Sequence, residues 1–262
     1  MIGSVRTGSP PVESPSYRTG AQSVRTAGDQ EGAGAAPPLT PVFPLWAWFR
    51  ADAGVTEVEN IVTAWADQSG NNRNTTAVGT VDYVPGGING LPAIGFGNFQ
   101  VRCENASDNI PHGARTIMTV AQPYDLIGGT LLSFRRSTRD WAAYLFNLSG
   151  TLYVWSDGLI ALAKTPPAID YSGAARLIEH VQDGVNGLVV RVDGTTIVNA
   201  LAGSTSNEDG LAGFVIGNRE PGSYFQHWFG AVGETLWYDY ALTPEQRAQN
   251  VAYLSAKWGV SG

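Results

Sequence analysis

Beyond residue 44, short apolar runs rich in Val, Ile, Phe, Tyr and Trp alternate with turn residues. That pattern predicts strands at 45–50, 61–66, 92–96, 116–122, 130–134, 142–147, 151–155, 177–182, 188–192, 196–199, 212–216 and 231–238. Asp183-Gly184, Asn186-Gly187 and Asp193-Gly194 are tight-turn dipeptides between neighbouring runs. Only one stretch has a helical period. Thr243 is placed as N-cap, Pro244 as the first helical residue and Gln246 as the partner of a capping box. Val251, Leu254 and Trp258 then share a face, and Gly259 ends the helix. Many short strands with one terminal helix predict an all-β fold: an antiparallel jelly-roll sandwich.

Residues 1–44 follow neither period. They hold seven of the 15 prolines and few large apolar side chains, too few to offset the entropy of ordering. The chain therefore divides into an extended Pro/Gly-rich arm, 1–44, and one domain, 45–262. The arm repeats a short pattern of Ser, an apolar or aromatic residue, Arg, Thr and a small residue. Its central pairs are Val5-Arg6, Tyr17-Arg18 and Val24-Arg25. Extended segments of this kind dock in grooves or add to sheet edges. These six residues are the expected partner-docking positions, with a plain linker as the competing reading.

Charge sharpens the division. Arg6, Arg18 and Arg25 balance Glu13, Asp29 and Glu31, so the whole formal charge of −7 sits on 45–262. An acidic domain argues against nucleic-acid binding through phosphate neutralisation. The single cysteine, Cys103, excludes an intramolecular disulfide and any Cys-cluster zinc site. No apolar run is long enough for a membrane-spanning helix, and the N-terminus lacks the apolar core of a signal peptide.

Several stretches of the domain resemble a known family. Leu45-Trp46-Ala47-Trp48-Phe49-Arg50, the W-x-D-x-S-G-N hairpin from Trp65 to Asn71, and Gly90-Leu91-Pro92-Ala93-Ile94 occur in that order. Val190-Arg191-Val192-Asp193-Gly194 and Phe229-Gly230-Ala231-Val232-Gly233-Glu234 follow. Together they resemble the concanavalin A-like, or laminin G-like, jelly-roll domains of bacterial and phage surface proteins. The resemblance implies a lectin-like sandwich and leaves the function to the site. It also raises a structural calcium ion at Asp67, Ser69, Asn71 and Asn72, hard oxygen ligands on one loop. The competing reading, an Asx-held turn, is favoured because no D-x-D-x-D-G loop is present.

Hydrolase members of this family carry paired carboxylates as E-x-D-x-E on one strand, and no such run occurs here. Glu57 and Glu59, and Glu208 with Asp209, read as loop charge. Glu234 shares a strand face with Val232, Leu236 and Tyr238 and reads as a structural acceptor. No residue is assigned a catalytic role, no cofactor is expected, and the chain is read as a non-enzyme.

Glycan chemistry instead points to two loops, which offer aromatic faces beside hydrogen-bonding side chains. One supplies Arg139, Asp140 and Trp141; the other supplies Arg219, Tyr224, His227 and Trp228. The competing reading is that Trp141 and Trp228 begin strands and pack inward, with the arginines solvated. The combined expectation is a bacteriophage virion-surface protein of the capsid-decoration, head-fibre or adhesin type. Its arm would dock on a capsid or other virion structural protein, and its lectin-like domain would face host-surface glycans. A free carbohydrate-binding module and a diverged glycoside hydrolase are the alternatives, and self-association is left open.

Overall fold

The structure, a computed structural model, describes residues 39–97, 102–105, 114–124, 129–136, 143–148, 151–156, 159–161, 173–183, 187–200, 211–218 and 228–262. The strands are β1 (Ala47–Arg50), β2 (Val55–Val58), β3 (Ile61–Trp65), β4 (Thr75–Ile88), β5 (Leu91–Phe96), β6 (Arg102–Asn105), β7 (Arg115–Pro123) and β8 (Gly129–Arg136). They continue as β9 (Ala143–Leu148), β10 (Thr151–Ser156), β11 (Leu159–Ala161), β12 (Arg176–Asp183), β13 (Gly187–Val192), β14 (Thr195–Ala200), β15 (Leu211–Ile216) and β16 (Gly230–Tyr238). The helix α1 (Pro244–Trp258) follows.

Each of the twelve expected runs lies on a strand, and the fold is an all-β antiparallel sandwich with one C-terminal helix. A continuous hydrogen-bonded path runs β11-β10-β9-β8-β15-β6-β4-β5-β16-β7-β12-β13-β14. β1 pairs with β16, and the β2–β3 hairpin joins β4. The path folds back on itself, so that β8 and β15 face β1 and β16 across a shared core. Phe214 of β15 lies 4.7 Å from Trp237 of β16, ring centroid to centroid, and 5.7 Å from Phe49 of β1. Phe134 of β8 meets the Trp237 ring edge-on at 5.4 Å, while Trp46 stacks near it at 5.8 Å.

β16 is the central strand, and all nine of its residues are buried. Alternate residues of a strand face opposite sides, so full burial requires a cover on both. The inter-sheet core covers one face; α1 covers the other with Tyr253, Leu254 and Trp258, which pack among Met118, Val120, Leu177, Leu236 and Tyr238. An irregularity between Val232 and Glu234 shifts the register there. Val232 consequently joins the inter-sheet core, while Glu234, Leu236 and Tyr238 face the helix. This corrects the expectation that Val232 shares the Glu234 face. Gly233 sits at that irregularity because a Cβ there would lie 2.6 Å from the Trp258 ring.

The helix ends as its sequence predicts. Thr243 and Gln246 form the reciprocal capping box, and Gly259 takes the left-handed conformation, φ 65°, with its N–H on the Ser255 carbonyl. Asn250, fully buried, ties the first described segment to the helix. Its Oδ1 accepts the Val42 N–H at 2.8 Å, and its Nδ2 donates to the Tyr238 hydroxyl, which donates to the Val42 carbonyl. Residues 39–44, placed in the arm on composition, thus belong to the compact unit that begins at Leu39. The repeat residues Val5, Arg6, Tyr17, Arg18, Val24 and Arg25 lie outside the described residues.

Candidate functional site

The W-x-D-x-S-G-N hairpin fastens the start of β1. Asp67 Oδ1 accepts the N–H groups of Trp48 and Ser69, and Oδ2 accepts the Ser69 hydroxyl and the Arg73 N–H. Asn71 donates to the Leu45 and Trp46 carbonyls, and the Arg73 guanidinium lies 4.3 Å from the centre of the Trp46 ring. Each Asp67 oxygen already takes two donors, which is the chemistry of an Asx-held turn and leaves the carboxylate committed. No group of three or more His, Cys, Asp or Glu side chains is placed to hold a metal ion among the described residues. Replacing Asp67 with alanine orphans three backbone donors and is expected to cost about 3 kcal/mol. EDTA is expected to leave the wild-type melting temperature unchanged. Thermal melts with and without chelator check both statements, and a chelator-induced drop would restore the calcium reading.

Glu234 organises the opposite face of β1. Its carboxylate is fully buried and accepts four side-chain donors. Trp48 Nε1 and the Tyr253 hydroxyl donate to Oε1 at 2.6 and 2.7 Å; Lys257 Nζ and Trp258 Nε1 donate to Oε2 at 2.6 and 2.8 Å. Glu234 is the structural acceptor expected, with Trp, Tyr and Lys as donors where backbone or Arg donors were foreseen. Burial, reinforced by the adjacent carboxylate, pushes the Tyr253 hydroxyl well above its ordinary pKa, so it stays a donor.

From this buried centre an ionic chain reaches the surface. Lys257 also holds Asp52 Oδ1 at 3.0 Å, and Arg50 clasps Asp52 through Nε and Nη2 at 2.9 and 2.8 Å. Burial alone would raise the Asp52 carboxyl. The hydrogen bonds and charges of Arg50 and Lys257 outweigh it and hold Asp52 at about 2. Arg50 lies over the Trp48 ring, 5.3 Å from its centre.

Two clefts flank the Arg50–Asp52 pair. The first, about 250 Å³, is lined by residues 51–55 with Glu57 and Tyr83. The second, about 380 Å³, is lined by Leu39, Arg50, Tyr253, Ala256 and Lys257. Both are at the small end for ligand sites, which suits single rings of a larger molecule. The first presents two carboxylates and a phenol, acceptors for hydroxyl groups. The Glu57–Glu59 pair does not form a shared face: Glu57 is on β2, while Glu59 and Asn60 make the following turn with φ of 54° and 64°. Glu57 accepts the Asn60 N–H through Oε2.

The expected glycan loops contribute little to this arrangement. Arg139, Asp140, Trp141, Arg219, Tyr224 and His227 lie outside the described residues, as do Glu208 and Asp209. Trp228 is described and points inward: it is 3% exposed and belongs to the inter-sheet core. Cys103 is fully buried, and burial pushes its thiol up to about 12, the state of an inert packing residue. Among the described residues no helix is long and apolar enough to cross a membrane.

No family model and no curated protein matches the chain. Solved structures do resemble it in fold. Trypanosoma rangeli sialidase in complex with sialic acid superposes with a TM-score of 0.63 at 12% identity, over 85% of this chain and 34% of that one. Domain 4 of a GH43 extracellular arabinanase from Geobacillus stearothermophilus, in complex with arabinotriose, gives 0.56 at 17% identity, over 77% of this chain and 95% of the other. A structure concerned with cell entry of botulinum neurotoxin type C, dependent on two ganglioside molecules, gives 0.53 at 10% identity, over 77% and 50%. The chain spans about a third of the length of the sialidase chains it matches. These likenesses correct the reading of the chain as a non-enzyme. That reading rested on absent motifs, a missing E-x-D-x-E strand among them, and the same fold is carried by chains of glycoside hydrolases.

Proposed function

We propose that the unit beginning at Leu39 is a carbohydrate-recognition domain of the concanavalin A-like type, which seats a sugar in the cleft lined by Asp52, Glu57 and Tyr83. The observation that carries this is the likeness to an arabinanase domain of similar extent, in complex with arabinotriose. The cleft supplies matching chemistry. Arg50 and Lys257 fix Asp52 in place before any ligand arrives, which lowers the ordering cost of binding. Glu57 adds a second acceptor and Tyr83 a phenol at the same cleft. Placement on a virion rests on the arm's sequence repeat and on the sequence resemblance to surface-protein domains, and nothing in these likenesses supports it.

Calorimetry with arabinotriose and a panel of neutral oligosaccharides tests the reading. One of them is expected to bind with a sub-millimolar Kd, and Glu57→Gln is expected to weaken it at least fivefold. Absence of binding across the panel, or an unaffected Glu57→Gln variant, would overturn it. Release of reducing ends by the wild type, lost in Glu57→Gln, would move the same cleft from recognition to hydrolysis.

A further inference from the structure

Resting on that reading, we infer that the second cleft selects a sugar bearing a carboxylate, so that the preferred ligand contains a uronic-acid residue beside a neutral one. The two clefts present opposite chemistry although they share the Arg50–Asp52 pair as a wall. The first is lined by carboxylates. The second, among the described residues, is lined by two cations and no carboxylate.

Those cations still have hydrogens to give. Arg50 spends Nε and Nη2 on Asp52. Its Nη1 has no partner among the described residues. Lys257 spends one hydrogen on Asp52 and one on Glu234, which leaves a third. Both side chains are pinned by these same bonds and are mostly covered, 29% and 16% exposed, so a ligand finds them already placed. The remaining wall is apolar or aromatic: Leu39, Ala256 and Tyr253. A pyranose carboxylate fits this division, with its charge toward Arg50 and Lys257 and its C–H surface toward Leu39 and Tyr253.

Charge limits the class. Asp52 and Glu234 balance Arg50 and Lys257 locally, and the chain carries −7 overall. A densely sulfated polymer would be repelled at low salt, whereas a single carboxylate needs only the two local donors. The cleft is therefore assigned to isolated uronate residues and not to polysulfates.

Trigalacturonic acid and its methyl ester, which has nearly the same shape without the charge, form the direct test, with arabinotriose as the third probe. Calorimetry on the full chain is expected to show the free acid binding at least tenfold tighter than the ester. Arg50→Gln is expected to erase that ratio. Leu39→Asp, which adds a carboxylate to the wall at a half-exposed position, is expected to reduce it tenfold without lowering the melting temperature. Equal affinity for acid and ester, or a ratio that survives both substitutions, overturns the inference while leaving carbohydrate recognition intact. If none of the three probes nor any neutral sugar of the panel binds, carbohydrate recognition fails and this inference with it.

Discussion

Glu234→Ala is expected to lower the unfolding free energy by about 4 kcal/mol, read from urea melts followed by tryptophan fluorescence. The magnitude is that of removing one partner from a buried ion pair. Glu234 is wholly covered, and its two oxygens accept two indoles, a phenol and an ammonium group. Without it the Lys257 charge keeps only Asp52, and three covered donors lose their acceptor. All but Trp48 lie on α1, so the helix should loosen from β16 before the sandwich itself opens. Glu234→Gln keeps the shape but turns an N–H₂ group toward donors, and is expected to cost more than about 2 kcal/mol. A loss below about 1 kcal/mol for the alanine variant would show that the carboxylate does not hold the helix.

Trp237→Ala should cost about as much by a different route. Trp237 is 1% exposed and sits where the two layers meet, among Trp46, Phe134 and Phe214. Its indole N–H donates to Thr235 Oγ1, which shares a hydrogen bond with Thr119 across the strand pair. Truncation removes the ring around which three other rings are arranged, and the sheets cannot collapse far because both are hydrogen-bonded along their length. Large aromatic truncations in cores cost about 3–5 kcal/mol. A chemical melt that shows less than about 2 kcal/mol would mean that the layers repack without it.

The strands with a clear apolar period were legible from sequence, because burial between two layers imposes it. β2, β4 and β6 lack that period for physical reasons. β4 runs 14 residues through Gly79, Pro85, Gly86 and Gly87, with a register shift between Val84 and Ile88, and much of it is half-exposed. β2 has three exposed residues of four, and β6 is short and polar. The helix was read in full because capping chemistry is local. The boundary at 44 was not, since Val42 is held by Asn250, 208 residues away.

The candidate site is not legible in the sequence for the same reason. Asp52 and Lys257 are 205 residues apart, and only the docking of α1 beside β1 brings them together. What sequence did carry was Arg50 and Asp52, two residues apart at the end of β1. Trp228 shows the converse: a tryptophan in a polar neighbourhood is a glycan-binding candidate and equally a strand residue that packs inward, and the fold uses it as core. Composition weighs residue types, whereas the core selects them by direction.

Backbone amide chemical-shift mapping of the full chain, titrated with arabinotriose and with trigalacturonic acid, tests the central claim most directly. Saturable shifts are predicted at residues 50–57, at Tyr83 and, for the acid, at Leu39 and 253–257. Shifts confined to 135–141 and 218–227, with residues 50–57 unmoved, would place recognition on the loops and contradict the assignment of these clefts.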